Sequence, residues 1–260
     1  MLYTYYMYII SYDIASKSLA VSVIYFNDRW REQFNSIKIN FINEINNIID
    51  IEKKCDCIVK YTNLIDNLLN TLIIPKFFDV ADLIPGKKLK ETTGILRTSR
   101  LKAYLHLVDY EFKKIAGDSN EKVKVLLEYQ MGPNDKSRVV GSQVLFHYSN
   151  TDVGFTNSIN KCLSINDEHV SKIIYDIEIL GPSLKNKINL LDNKDHAFFM
   201  KKYSKPYNAN KAHSKTNFLQ WVKINKVEHM IKNIRKKNID DIADSVNMTL
   251  AWLHIKSGLL

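Results

Sequence analysis

The chain has 260 residues, 45% of them apolar, which is enough to fill one core and is read here as a single domain. Its net charge of +9 points to a polyanionic partner, because clustered Lys and Arg gain free energy by releasing phosphate counterions. Cys55, Cys57 and Cys162 are too few and too unevenly spaced for a disulfide framework or a tetrahedral zinc site, and a reducing, intracellular setting is expected. No stretch approaches the roughly 18 continuous apolar residues of a membrane span. Met1 to Tyr12 lacks the basic start and small-residue cleavage site of a signal peptide, so none is expected.

Tyr5 to Ile14 reads as a first strand that delivers Asp13 at its end, and Leu19 to Phe26 reads as a second. Ile37 to Ile51 continues as a third strand followed by a helix. Between Cys57 and Ile74 the apolar positions keep a 3.6-residue period, which predicts a helix ended by Pro75. Lys76 to Thr98 reads as a loop or short helical turn. Ser99 is the expected N-cap of a helix buried through Leu101, Tyr104, Leu105, Val108 and Phe112.

Val123 to Leu127 forms the next strand and ends in Glu128. A helix from about Lys136 to Tyr148 follows, then a polar surface insertion over Asn150 to Asp167 and a strand from Val170 to Leu180. Lys194 to Lys237 holds 12 Lys or Arg against two acids, whereas the remaining residues hold 25 basic and 26 acidic. The charge excess is therefore one stretch, expected to be largely helical with Pro206 to Asn210 as an irregular link. A last helix spans about Asp240 to Ile255. His213 is expected on the surface.

This order predicts an α/β fold: a ribonuclease H-like mixed sheet flanked by helices on both sides. Asp13 and Glu128 would lie at the carboxyl ends of neighbouring strands, where sites in open α/β sheets form. Asp241 and Asp244 are three residues apart, on one face of the last helix. Four converging carboxylates repel one another unless cations neutralise them, and hard divalent ions with oxygen ligands suit that task. Two such ions about 4 Å apart activate a water and stabilise the leaving oxygen of a phosphodiester, with Asp13 the candidate bridge between them. Lys136, Arg138, Lys211, Lys236 and Lys237 are candidates for contacts to a DNA backbone.

Three motifs carry a resemblance: Ser11-Tyr12-Asp13-Ile14-Ala15-Ser16, Glu128-Tyr129-Gln130, and Asp240-Asp241-Ile242-Ala243-Asp244-Ser245. With Tyr207-Asn208-Ala209-Asn210-Lys211-Ala212-His213 and Asn217-Phe218-Leu219, they resemble the poxvirus-type Holliday junction resolvases, relatives of bacterial RuvC in the ribonuclease H-like superfamily. The resemblance implies a RuvC-type nuclease domain over residues 1–260, with extra material around 55–95 and 150–167. It also implies that Asp13, Glu128, Asp241 and Asp244 are the catalytic metal ligands of a Mg2+- or Mn2+-dependent endonuclease. By the same resemblance, two ions per site cut opposed strands of a four-way junction, and a homodimer acts at the viral replication site in the host cytoplasm. Where the bacterial relatives place an aromatic wedge three residues after the Glu, this chain has Met131. A non-catalytic protein that binds branched nucleic acid on the same fold, or a nuclease for flaps or RNA-DNA hybrids, is the alternative.

Overall fold

Along β1 (Tyr6–Ile14) side chains point alternately to the two faces of the sheet, so Ile9, Ser11 and Asp13 share one face while Tyr8, Ile10, Tyr12 and Ile14 share the other. A computed structural model describes residues 6–26, 29–86, 88, 92–117, 122–129, 135–149, 173–187 and 196–257. β1 lies at the centre of a five-stranded sheet with β2 (Ser18–Phe26), β3 (Ile73–Asp82), β4 (Lys122–Glu128) and β5 (Ile174–Leu180), in the order β3-β2-β1-β4-β5. β2 runs antiparallel to β1 and β3, whereas β1, β4 and β5 are parallel. The expected mixed sheet is thus present, and the carboxyl ends of its three parallel strands fall at one edge.

Both faces are covered. Against Tyr8, Ile10, Tyr12, Val123, Val125 and Leu127 pack α3 (Gly94–Ala116), through Leu101, Leu105, Val108 and Phe112, and α4 (Asp135–Ser149), through Val140, Val144 and Tyr148. Against Ile9, Ala20, Ile24 and Leu126 pack α6 (Pro206–Ile224), through Phe218 and Trp221, and α7 (Ile239–Ser257), through Ile242, Val246 and Ala251. Phe34 of α1 (Arg29–Asn46) and Ile65 and Leu68 of α2 (Ile51–Leu72) join this second core. A short helix, α5 (His196–Lys202), adds Phe199, whose ring meets that of His213. Among the described residues no helix is long and apolar enough to cross a membrane.

Several local expectations are corrected. Residues 37–46 are helix rather than strand: the β-branched Ile37 and Ile39 sit in α1, and packing of α1 on α2 overrides their strand propensity. Phe41 meets Tyr61 at 5.3 Å between ring centres, and Glu44 accepts a hydrogen bond from the Tyr61 hydroxyl at 2.7 Å. The segment expected as a loop after Ile74 begins with β3, and Pro75 lies within that strand. Lacking an N–H, a proline is accepted on an edge strand beside an irregularity, and the β2–β3 register shifts between Val23 and Ile24, the latter paired with Pro75.

Thr93, not Ser99, caps α3, its hydroxyl accepting from the Leu96 N–H at 3.2 Å, and Gly117 closes the helix at a φ of 64°. Pro206 to Asn210 are the first residues of α6 rather than a link, since a proline in the first turn forgoes a bond that the helix would not make anyway. Residues 73–82, within the stretch 55–95 read as extra material, supply the edge strand of the sheet. The insertion expected over 150–167, Met131 and the proposed strand start at Val170 lie outside the described residues.

Candidate active site

The pleat and the register together set the site. Tyr12 is paired with Leu127 across the parallel β1–β4 ladder, so Asp13 and Glu128 follow side by side at the strand ends. Both fall on the face covered by α7. That helix is pinned to the sheet further along its length: the hydroxyls of Ser11 and Thr249 lie 2.5 Å apart, and the Trp252 indole N–H donates to Glu178 of β5 at 2.9 Å. From Ser11 to Asp13 a strand rises about 6.7 Å, and from Thr249 back to Asp244 a helix rises about 7.5 Å. Asp244 therefore arrives level with Asp13, and Asp241 lies one turn nearer the helix start.

Two lysines meet the carboxylates. Lys185, in a 3-10 turn (Leu184–Lys187) just after β5, places its Nζ 2.8 Å from Asp244 Oδ2, 3.1 Å from Glu128 Oε1 and 3.3 Å from Asp13 Oδ1. Lys211 of α6 lies 3.2 Å from the same Asp244 oxygen and 3.4 Å from Asp241 Oδ1. Hydroxyls complete the arrangement. Ser214 donates to Asp244 Oδ1 at 2.5 Å and Ser18 to Asp241 Oδ2 at 3.1 Å, while Asn247 Nδ2 holds Ser214 through both its hydroxyl and its carbonyl, at 2.8 and 2.9 Å.

The side chains of Asp13, Glu128 and Asp244 are at most one-tenth exposed, and that of Asp241 about a quarter. Burial and the neighbouring Asp13 carboxylate push the Glu128 carboxyl up to about 8, against the pull of Lys185. Burial acts in the same sense on Asp13, but the Lys185 ammonium, with the hydrogen bond to Glu128 and the charge of Lys211, outweighs it and holds that carboxyl below its ordinary value. Asp241 is raised by burial and by Asp13. For both lysines burial disfavours the charged form, and the surrounding carboxylates prevail, raising each above the usual lysine value.

The four acids singled out in the sequence are therefore brought together, and Lys211 joins them as a partner of two of them. Lys185 was not among the candidates. Its one signal was position: it follows the Gly181-Pro182-Ser183 break after β5, at the sheet edge where Asp13 and Glu128 also end. Arg138 is an exposed residue of α4, paired with Asp135, and lines a shallow cleft beside Glu128 with Ile14, Leu127 and Tyr129. Lys136 is exposed on the same helix, and Lys236 and Lys237 are exposed in the turn that leads into α7. Asp240 pairs with Lys215 at 2.9 Å.

His213, expected at the surface, is fully buried, its ring centre 5.6 Å from that of Phe199 in α5, with Asn217 Nδ2 and His213 Nε2 3.3 Å apart. Helix packing turns its face of α6 inward. Cys55 and Cys57 are free thiols, and Cys162 lies outside the described residues.

As a donor set for a metal, the cluster is all oxygen and strongly anionic, which suits a hard divalent ion. Three of its carboxylates already converge on one cation, the Lys185 ammonium. Among the described residues no three acidic, imidazole or thiol groups stand as a preformed metal cage, so an ion would have to draw the carboxylates in.

The resemblance read from the sequence is borne out. Residues 199–256, the stretch that carries Lys211, Asp241 and Asp244, match the Poxvirus A22 protein family. Among solved structures, the complex of Fowlpox virus resolvase with its substrate Holliday junction DNA is similar at 14% identity and a TM-score of 0.42, over 96% of this chain and 99% of that chain. No curated protein matches the sequence.

Proposed function

We propose, from the poxvirus family match over residues 199–256 and the acids those residues contribute, that this chain is a structure-selective endonuclease that resolves four-way DNA junctions. The observation that carries the reading is the meeting of Asp13, Glu128, Asp241 and Asp244, delivered by two strand ends and one helix, around two lysines. A single nuclease domain over residues 1–260, with additions around 55–95 and 150–167, belongs to the same proposal.

Asp13, Glu128, Asp241 and Asp244 would hold the divalent ions, with Asp13, which meets the Lys185 ammonium alongside Glu128 and Asp244, as the candidate shared ligand. Bound Mg2+ or Mn2+ would supply a polarised phosphate oxygen and an activated water for phosphodiester hydrolysis. Ser214 and Asn247 hold Asp244 in one orientation, and Ser18 does the same for Asp241, so an entering ion meets side chains already oriented and has only to draw them closer. Lys211 sits at the solvent side of the cluster, about a quarter exposed, where its ammonium can meet the phosphate that is cut. The basic stretch from Lys194 to Lys237, with Arg138 beside Glu128 and Lys136 on the same helix as Arg138, gives the backbone contacts that position DNA without reading its bases.

Paired nicks on a four-way junction require two such sites, and a homodimer provides them. The free thiol of exposed Cys55 fits a reducing compartment, and the host cytoplasm is the proposed setting. The purified protein is expected to nick a synthetic four-way junction symmetrically with Mg2+ or Mn2+, and to do so more slowly on flaps, three-way junctions and RNA-DNA hybrids. Cleavage without any divalent ion would remove the mechanism.

One observation favours a second reading. Lys185 and Lys211 neutralise part of the acid cluster by themselves, as would suit a protein that binds branched DNA without cutting it. That reading predicts salt-sensitive junction binding and intact strands with every divalent ion tried.

A further inference from the structure

Lys185 is placed with more care than a solvated lysine needs. Its turn follows β5 directly; the Leu184 N–H donates to the Gly181 carbonyl at 3.1 Å, and the Leu180 carbonyl accepts from the Tyr129 N–H, next to Glu128, at 2.7 Å. Leu184 packs against the core beneath α7. The backbone that carries Lys185 is thus fixed to the strand that delivers Glu128 and to the helix that delivers Asp244. An ammonium has three N–H donors, and this one has three carboxylates around it, each within 3.3 Å. Its side chain is 14% exposed, so these charges interact with little screening by water.

We propose that Lys185 is the built-in counter-ion of the carboxylate cluster: its ammonium holds Asp13, Glu128 and Asp244 together until a divalent ion enters, and must then swing out of their midst. Lys185 thereby sets the divalent concentration at which the site loads. A lysine suits this task because its compact charge rides on a flexible four-carbon stem anchored at a rigid turn. The released ammonium stays at the mouth of the cluster, where a DNA phosphate offers it a new partner, so junction binding and ion loading favour each other.

The inference rests on the reading of the cluster as a divalent-ion site, and one titration separates the two. The full-length protein, stripped of metal, is titrated with Mn2+ in a calorimeter, with and without a non-cleavable junction, as wild type, Lys185→Met, Lys185→Gln and Lys185→Arg. Both neutral variants should bind Mn2+ about tenfold more tightly than wild type, the change expected from removing one competing charge. Lys185→Arg, which keeps the charge, should stay within about threefold of wild type. Without metal the neutral variants should melt earlier, having lost the partner of three buried carboxylates, and Mn2+ should raise their melting temperature more than it raises that of wild type. If one neutral variant does not fold, the other carries the comparison. Wild-type binding with an unchanged or weaker midpoint in the neutral variants would overturn the counter-ion role alone. Absence of Mn2+ binding in wild type and variants alike would overturn the metal-site reading, and this inference with it.

Discussion

The two faces of the central strand make a direct contrast. On one, Tyr8, Ile10, Tyr12 and Ile14 meet α3 and α4 in an aromatic and aliphatic core, within which the hydroxyls of Tyr12 and Tyr148 lie 2.5 Å apart. On the other, one residue out of step, Ile9 leads to Ser11 and then to Asp13, and the facing helix answers with Thr249, Ser245, Asp244 and Asp241. A strand with a period of two thus presents an apolar core alone on one side and, on the other, a core that gives way to the carboxylate cluster as polarity rises toward the strand end. A one-residue slip of register would exchange them.

If the faces divide the work in this way, variants on each should fail differently. Asp13→Asn should cut a four-way junction about a thousandfold more slowly, since charge stabilisation worth several kcal/mol depends on it, while junction binding changes little. Single-turnover cleavage against a binding isotherm checks this, and a variant that still cuts would move the chemistry elsewhere. Phe112→Ala, on the opposite face, should cost about 3 to 5 kcal/mol of folding free energy by denaturant titration, with cleavage per folded molecule unchanged. Loss of cleavage in protein that is still folded would break the division.

Ser11→Ala is the intermediate case, because Ser11 is on the face that carries the carboxylates but its hydroxyl meets the helix that carries two of them. Leaving the buried Thr249 hydroxyl unpartnered should cost about 1 to 3 kcal/mol, and joint substitution with Thr249→Val should recover much of it. The smallest effect concerns pH. Glu128 has its carboxyl raised by burial and by Asp13, so the folded protein keeps a proton there that the unfolded chain releases. Its contribution to stability is full below the ordinary carboxylate value of 4.5 and is lost as pH rises toward about 8. Metal-free Glu128→Gln should therefore melt a few degrees higher than wild type near pH 8 and show no such gain near pH 4. Asp13, held below its ordinary value, has the opposite slope and acts at lower pH, so the two are separable in one series of melts.

Much of this site was legible because its residues close elements whose patterns are local. Asp13 and Glu128 each end an apolar run, and Asp241 and Asp244 repeat at helical spacing, so their faces follow from periods of two and 3.6. Where local preference met packing, the reading erred. Ile37 and Ile39 look like strand, yet they sit in a helix laid on another helix, and Pro75 looks like a stop, yet the edge of a sheet tolerates it. His213 gave no sign of burial, since its own helix has no clear apolar side and only its neighbours decide which face turns inward.

The sequence by itself determined the strand ends, the helix that brings the second pair of acids, the basic stretch and the likeness to a viral family, all of which rest on short-range pattern or motif. Only the tertiary structure decided what stands among the carboxylates. Lys185 is 172 residues from Asp13 and shares no motif with it; the two meet because three parallel strands end at one edge of the sheet and the turn after the last of them points back across the others. Contacts of that kind depend on the order of strands in space, which no local period encodes.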